Sequence, residues 1–466
     1  MKKKILLLSD DIRIPSGIGT MSKSFVMNTL KDFDWVQMAG AIKHPEAQKT
    51  IDMSDAMAKE TGVEDASVIL YGVDGYGDQN ILRAVIAKEN PDAILHFTDP
   101  RFWGWLYDME HEIRQSIPIM YYNIWDDLPF PHWNENAYES CDLLMAISQQ
   151  TYNINKHVCI RKPRIEDTDL TYVQHGIDEN MFKVLPKDDP ELLEFKKRIL
   201  GDREYDYIAL FNSRNIIRKH PADLISAFNS FVLTLPEDAR GNTALVLHTD
   251  IVDGAGTDLK AVAHRLAGDS NIIFSTGKLT PPQMNYLYNL ADVMCNPSSA
   301  EGFGLSHMEA MMSGTPTIAS VIGGLQDQMG FTINGRPMGI EDFTEEIPSN
   351  STGKISKEHG EWVYPLWPQV ALQGSPPTPY IYDSRVSLDQ ITRGLKYWHD
   401  VGSKIRKERG LAGRTWAINN KFTAKGMAEA MTNSINICLD TWQSRNKFEL
   451  IDVSNQPPQA PSGVLV

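Results

Sequence analysis

Two glutamates bracket a short glycine-containing loop in the stretch PSSAEGFGLSHMEA, residues 297–310. Gly302 and Gly304, with Phe303 and Leu305 beside them, let backbone amides approach a ligand, and a helix that starts here turns its positive end toward the loop. A phosphate group suits that environment. Glu309 has two readings: with Ser306 it completes an S-x-x-E capping box, or its carboxylate accepts ribose hydroxyls. Glu301 precedes the turn, and capping does not account for it. Upstream, NSRNIIRKH carries Arg214 and Lys219, a guanidinium and an ammonium able to stabilise developing negative charge, or else a solvated basic helix start. Near the amino terminus SGIG places Gly17 and Gly19 between an apolar run and a helical one, where a turn alone also explains glycine.

These residues need elements to hold them at strand ends. KKILLLSDD, DAILHFTD, PIMYYNIWD, DLLMAIS and TYVQHGID read as buried strands separated by helical stretches such as MSKSFVMNTLKDF. The pattern restarts with YDYIALFNS, TALVLHTD, NIIFSTG and DVMCNPS. Alternation of this kind specifies doubly wound α/β domains, whose ligands bind outside the carboxyl ends of the strands. We expect an amino-terminal domain over 1–185, a linker with a surface helix over 186–204, and a second domain over 205–425. That second domain carries an irregular insertion at 331–379, where alternation fails in a Pro-, Gly- and Ser-rich segment. A helix over 426–446 packing back on the first domain and a disordered tail over 447–466 complete the expectation.

The 466 residues suit two cores, and 42% hydrophobic with 23% charged residues describes a globular chain. No apolar run reaches the roughly 20 residues that span a bilayer, so the opening MKKKILLLSDD reads as a strand. Four scattered cysteines, Cys141, Cys159, Cys295 and Cys438, form no C-x-x-C pair and point to a reducing, cytoplasmic setting. A net charge of −15 disfavours a surface devoted to nucleic acid or anionic lipid. The basic runs NINKHVCIRKPR and KYWHDVGSKIRKERGLAGR read as solvated helix faces, with contact to a membrane surface or a polyanionic acceptor as the alternative. The acidic pairs Asp10–Asp11 and Asp126–Asp127 lack the spacing of a metal cage, and no active-site metal is expected.

The stretch DVMCNPSSAEGFGLSHMEAMMSGTPTIASVIGG resembles the signature of the family 4 retaining glycosyltransferases, with its E-x7-E pair, Gly314 and Pro316, and Gly323–Gly324. ALFNSRNIIRKHPADLISAF is similar to that family's strand, arginine and lysine, with Ser213 in place of a glycine, and TYVQHGIDENMF to the segment that closes its first domain. The resemblance implies a GT-B fold, α/β, with two Rossmann-like domains facing a cleft. It implies that Glu301 meets the donor sugar, that the backbone from Gly302 to Leu305 meets the diphosphate, and that Glu309 meets the ribose. It also implies that Arg214 and Lys219 stabilise the leaving group and that the Gly17–Gly19 loop faces donor phosphates or acceptor. Gly277 and Lys278 lie where the base contacts backbone. One departure concerns a family histidine: this chain has Trp125 there, followed by Asp126, which we expect to contact the reacting sugar or acceptor. His96, His132 and His175 are the candidates to fill the same space. Gly176 reads as a turn glycine and Asp178 as a cap.

The resemblance thus implies metal-independent, retaining transfer of a sugar from a nucleotide diphosphate donor, most simply a UDP-sugar, to an acceptor hydroxyl. The donor is a substrate, and no cofactor is expected. The acceptor stays open among a glycan, a lipid-linked precursor, a small molecule, a protein and a hydroxymethylated DNA base of a phage, as does the oligomeric state. An epimerase or hydrolase on the same fold and a catalytically silent nucleotide-sugar-binding protein are the alternatives.

Overall fold

The computed structural model describes residues 2–41, 43–159, 164–165, 167–343 and 352–445. The expected tail at 447–466 and part of the basic run NINKHVCIRKPR lie outside them. The first domain is built on an eight-stranded sheet of β1 (Lys3–Asp10), β2 (Phe33–Ala41), β3 (Thr50–Asp52), β4 (Val68–Asp74), β5 (Ala93–Phe97), β6 (Ile119–Asn123), β7 (Leu143–Ala146) and β8 (Leu170–Tyr172). The order is β3-β4-β2-β1-β5-β6-β7-β8, parallel except at the β3 edge. Helices cover both faces, so Ile5, Leu6, Leu7 and Leu8 of β1 are all fully buried rather than alternating.

The second sheet joins β9 (Tyr207–Asn212), β10 (Thr243–His248), β11 (Asn271–Ser275), β12 (Val293–Asn296) and β13 (Thr317–Ser320). The 331–379 segment is less irregular than its composition suggests. It contributes the short pair β14 (Thr332–Ile333) and β15 (Arg336–Pro337), then β16 (Val363–Leu366), which pairs in parallel with β13 and completes the order β11-β10-β9-β12-β13-β16. An antiparallel hairpin of β17 (Gln369–Ser375) and β18 (Thr378–Arg385) follows. The alternation was hidden because β16 is an edge strand with a central proline, and because β17 is exposed along nearly its whole length.

Strand order reverses between β1 and β5 and again between β9 and β12, the crevices where doubly wound sheets bind ligands. The Gly17 loop follows β1, the Arg214–Lys219 segment follows β9 and the Glu301 loop follows β12. All three chemical segments therefore converge for a topological reason.

The segment at 186–204 holds helix Pro190–Leu200, with Asp189 as its N-cap; Leu192, Phe195 and Leu200 are buried, so this helix packs on the second domain. Helix Ala424–Thr441 returns to the first domain, where Met427, Met431 and Ile435 enter its core alongside helix Gly17–Asn28. Gly176 is not a positive-φ turn. A Cβ there would sit 2.1 Å from the Thr423 carbonyl, so glycine is required where the two crossing segments touch. Asp178 does cap, accepting from the Asn180 and Met181 amides. Among the described residues no helix is long and apolar enough to cross a membrane.

Candidate active site

A cavity of about 1230 Å³ opens between the two domains. At one end the β12 loop turns into helix Leu305–Met312 through Gly304, whose φ of 94° is the left-handed conformation that glycine tolerates. Ser306 lies inside the helix, so the capping box does not form. Glu309 instead accepts a hydrogen bond from the Tyr288 hydroxyl at 2.6 Å, and Tyr288 in turn accepts from Asn212 at 2.6 Å. Burial raises Glu309 to about 7, against the lowering effect of Tyr288. The Gly324 amide donates to the Glu301 carbonyl at 3.0 Å, which pins the loop and explains the Gly-Gly pair behind it.

Glu301 and Lys219 form an ion pair beneath that loop, with Lys219 buried and Glu301 partly exposed to the cavity. Burial pushes the Glu301 carboxyl up, but the charges of Lys219 and Arg218 outweigh it and hold the group below its ordinary value. Burial lowers the Lys219 ammonium against the opposing pull of Glu301. Lys219 supports Glu301 from behind rather than forming the cavity wall. The wall is formed by Arg218, which the motif reading passed over although it stands next to Lys219. Its guanidinium donates to the Ala300 carbonyl at 2.5 Å and lies 3.9 Å from Asp126. Arg214 reaches only the rim: it is 65% exposed and held by Asp253 at 2.7 Å.

Asp126 lines the cavity, with burial raising its carboxyl and Arg218 countering. Of the three histidines, His175 alone reaches the cavity. Its Nδ1 lies 2.8 Å from the Tyr122 hydroxyl, its ring packs against Phe303, and burial lowers it to about 3, so it stands neutral. His96 is sealed between Tyr107 and Tyr121, and His132 is exposed away from the cleft. Gly277 and Lys278 line the far end beyond β11.

From the first domain, Gly17 lines the cavity with Leu305 of the second domain as its nearest side-chain neighbour, whereas Gly19 does not. A Cβ on Gly19 would fall 2.4 Å from the Ile14 carbonyl, so this glycine serves loop packing and not the ligand. Ser16 caps the helix by accepting from the Gly19 amide at 3.0 Å and donates to Asp10 at 2.7 Å, which fixes the loop. Among the described residues no group of three or more His, Cys, Asp or Glu is arranged to hold a metal ion.

Against solved structures, the chain aligns over 94% of its length with a glycosyltransferase from Rickettsia africae, at TM-score 0.62 and 15% identity, covering 99% of that protein. It aligns equally with the Anabaena protein HepE in complex with UDP and glucose, at TM-score 0.60 and 15% identity over 93% of this chain and 99% of that one. The fold is GT-B. Within this GT-B chain, residues 194–336 match the family model described as glycosyl transferases group 1. That stretch contains Arg214, Lys219, Glu301 and Glu309. The chain is also similar to a D-inositol 3-phosphate glycosyltransferase of Kribbella flavida, 25% identical over 252 residues. The match covers 51% of this chain and 57% of that relative.

Proposed function

We propose that the protein transfers a hexosyl or pentosyl group from a nucleotide diphosphate donor to an acceptor hydroxyl, with retention at the anomeric carbon and without a metal ion. The observation that carries this reading is the Lys219–Glu301 pair, with Arg218 beside it, at the mouth of the Gly302–Leu305 loop. In this reading the loop amides and the start of helix Leu305–Met312 receive the diphosphate, while Lys219 and Arg218 stabilise the charge that develops as it departs. Arg218 stands at the cavity wall and Lys219 behind Glu301, and both are held in place before the reaction begins.

Glu309 receives the ribose and Gly277–Lys278 the base. A UDP-sugar is the donor of choice, supported by the UDP and glucose bound in the Anabaena neighbour. Glu301, oriented by Lys219, meets the donor sugar, and Asp126 faces it from the other domain. The departing phosphate takes the proton of the acceptor hydroxyl on the face it leaves, which gives retention. Cleft closure excludes water and aligns the acceptor. Four free, buried cysteines suit a cytoplasmic location.

The test is release of nucleoside diphosphate from a panel of nucleotide sugars, alongside thermal stabilisation by the diphosphates alone. Selective stabilisation by one diphosphate is expected, with turnover reduced about 10²–10³-fold in Lys219→Ala, the cost of removing one preorganised group that stabilises the transition state. No stabilisation by any nucleotide, or near-normal turnover in that variant, would overturn the proposal.

A further inference from the structure

The end of the cavity away from Lys278 has a wall supplied by the second domain but docked on the first. The β17–β18 hairpin crosses the cleft: the Tyr382 amide donates to the Leu128 carbonyl at 2.8 Å, and Tyr380 meets Trp133 edge-on at 4.6 Å between ring centroids. Thr378 and Ile381 of β18 line the cavity. Asp383 lies two residues beyond Ile381 on the same strand face, and its charge acts on Asp127 across the domain boundary. A cavity of about 1230 Å³ exceeds the roughly 300–1,000 Å³ of a single small-ligand pocket, which leaves this end for a second substrate.

The charges at this end are unevenly matched. Arg101 is held by Asp99 at 2.5 Å, and Arg218 stands 3.9 Å from Asp126 while also feeling Glu301. Both cations are thus already engaged. Among the described residues the carboxyl groups of Asp127 and Asp383 form no hydrogen bond or ion pair. Burial, and then the neighbouring charge of Asp126, push the Asp127 carboxyl well above the usual range against the opposing charges of Arg218 and Arg101, with Asp383 adding a smaller rise. Among the described residues, the cations that a phosphate would meet here, Arg101 and Arg218, are already paired with carboxylates. A hydroxyl finds acceptors on both sides, since carboxyl oxygens accept readily from O–H groups.

We propose that this end is the acceptor subsite and that it takes a polyhydroxylated acceptor without negative charge, whose hydroxyls donate to Asp127 and Asp383. The proposal rests on the glycosyltransferase reading above. It assigns the hairpin a direct part in acceptor choice and excludes phosphorylated polyols.

The experiment measures UDP release from UDP-glucose with matched pairs: glucose against glucose 6-phosphate, and inositol against an inositol monophosphate. Saturation-transfer NMR on the UDP-loaded protein reports binding of members that are not turned over. UDP stabilisation of the same sample is the control, and its failure would count against the donor site rather than against this subsite. With UDP bound, the uncharged member of a pair is expected to bind or react at least tenfold better, and Asp383→Lys to narrow or reverse the preference. A phosphorylated member that outperforms its partner would overturn the proposal. So would failure of every uncharged polyol to bind or react, or a preference unchanged in Asp383→Lys.

Discussion

Asp327→Asn tests the domain interface through its pH dependence. Asp327 belongs to the second domain, is 6% exposed, and accepts at Oδ2 from the Gln149 amide at 2.9 Å and the Tyr172 hydroxyl at 3.0 Å, both in the first domain. Its Oδ1 has no hydrogen-bond partner among the described residues. Burial raises the carboxyl from its ordinary 3.8 to about 7, against those two hydrogen bonds. Because the folded-state pKa is raised, the folded chain keeps a proton that the unfolded chain has released between about pH 4 and pH 7. Stability therefore falls as pH rises through that window, and the penalty is complete above about pH 7.

At about 1.4 kcal/mol per pH unit the full penalty is about 4 kcal/mol, of which about 3 kcal/mol accrues between pH 5 and pH 8. Asparagine carries no such penalty. The variant should gain stability over the parent at pH 8 relative to pH 5 by about 3 kcal/mol, roughly 5–10 °C in melting temperature for domains of this size. Thermal melts of both proteins at the two pH values measure it. A difference between parent and variant that is the same at both pH values would refute the reasoning, because it would show that Asp327 has the same protonation in the folded and unfolded chains.

Arg218→Ala should lower turnover at least tenfold more than Arg214→Ala, about 1.4 kcal/mol of barrier, because Arg214 is held at the rim by Asp253; kcat for both variants decides it. Gly19→Ala should destabilise by about 1–3 kcal/mol through the clash with Ile14, while Gly17→Ala, whose nearest neighbour is 3.7 Å away, should melt like the parent in calorimetry. Trp133→Ala should release the β17–β18 hairpin at a cost of about 0.5–1.5 kcal/mol beyond lost area, seen as faster proteolysis within residues 369–385.

Much of the fold was legible because buried parallel strands leave continuous apolar runs, and helices between them leave little ambiguity about order. The segment PSSAEGFGLSHMEA marked one end of the cavity for a related reason: its glycines and Glu301 occupy one loop that runs into the helix of Glu309, so spacing along the chain stands for spacing in the cleft. Ser306 shows where that equivalence fails. A capping box is a local pattern, but Gly304 begins the helix two residues earlier and sends Glu309 to Tyr288, a partner from another helix.

Arg214, Arg218 and Lys219 mark a second limit. All three lie on one short segment after β9, and their order in sequence does not say which side chain faces the cavity. That is decided by partners elsewhere: Asp253 draws Arg214 to the rim, Glu301 takes Lys219 beneath the loop, and the Ala300 carbonyl with Asp126 holds Arg218 at the wall. The end of the cavity beside the hairpin was the least legible because its parts come from both domains. Asp127 follows β6 and Asp383 sits on β18, more than half the chain apart. The docking of Tyr380 and Tyr382 on the 128–133 loop sets β18 beside the segment that follows β6. The end of the cavity beside Gly302–Leu305 is therefore written in contiguous loops, whereas the end beside the hairpin depends on a cross-domain contact; on the proposed reading, acceptor choice would change with the hairpin alone.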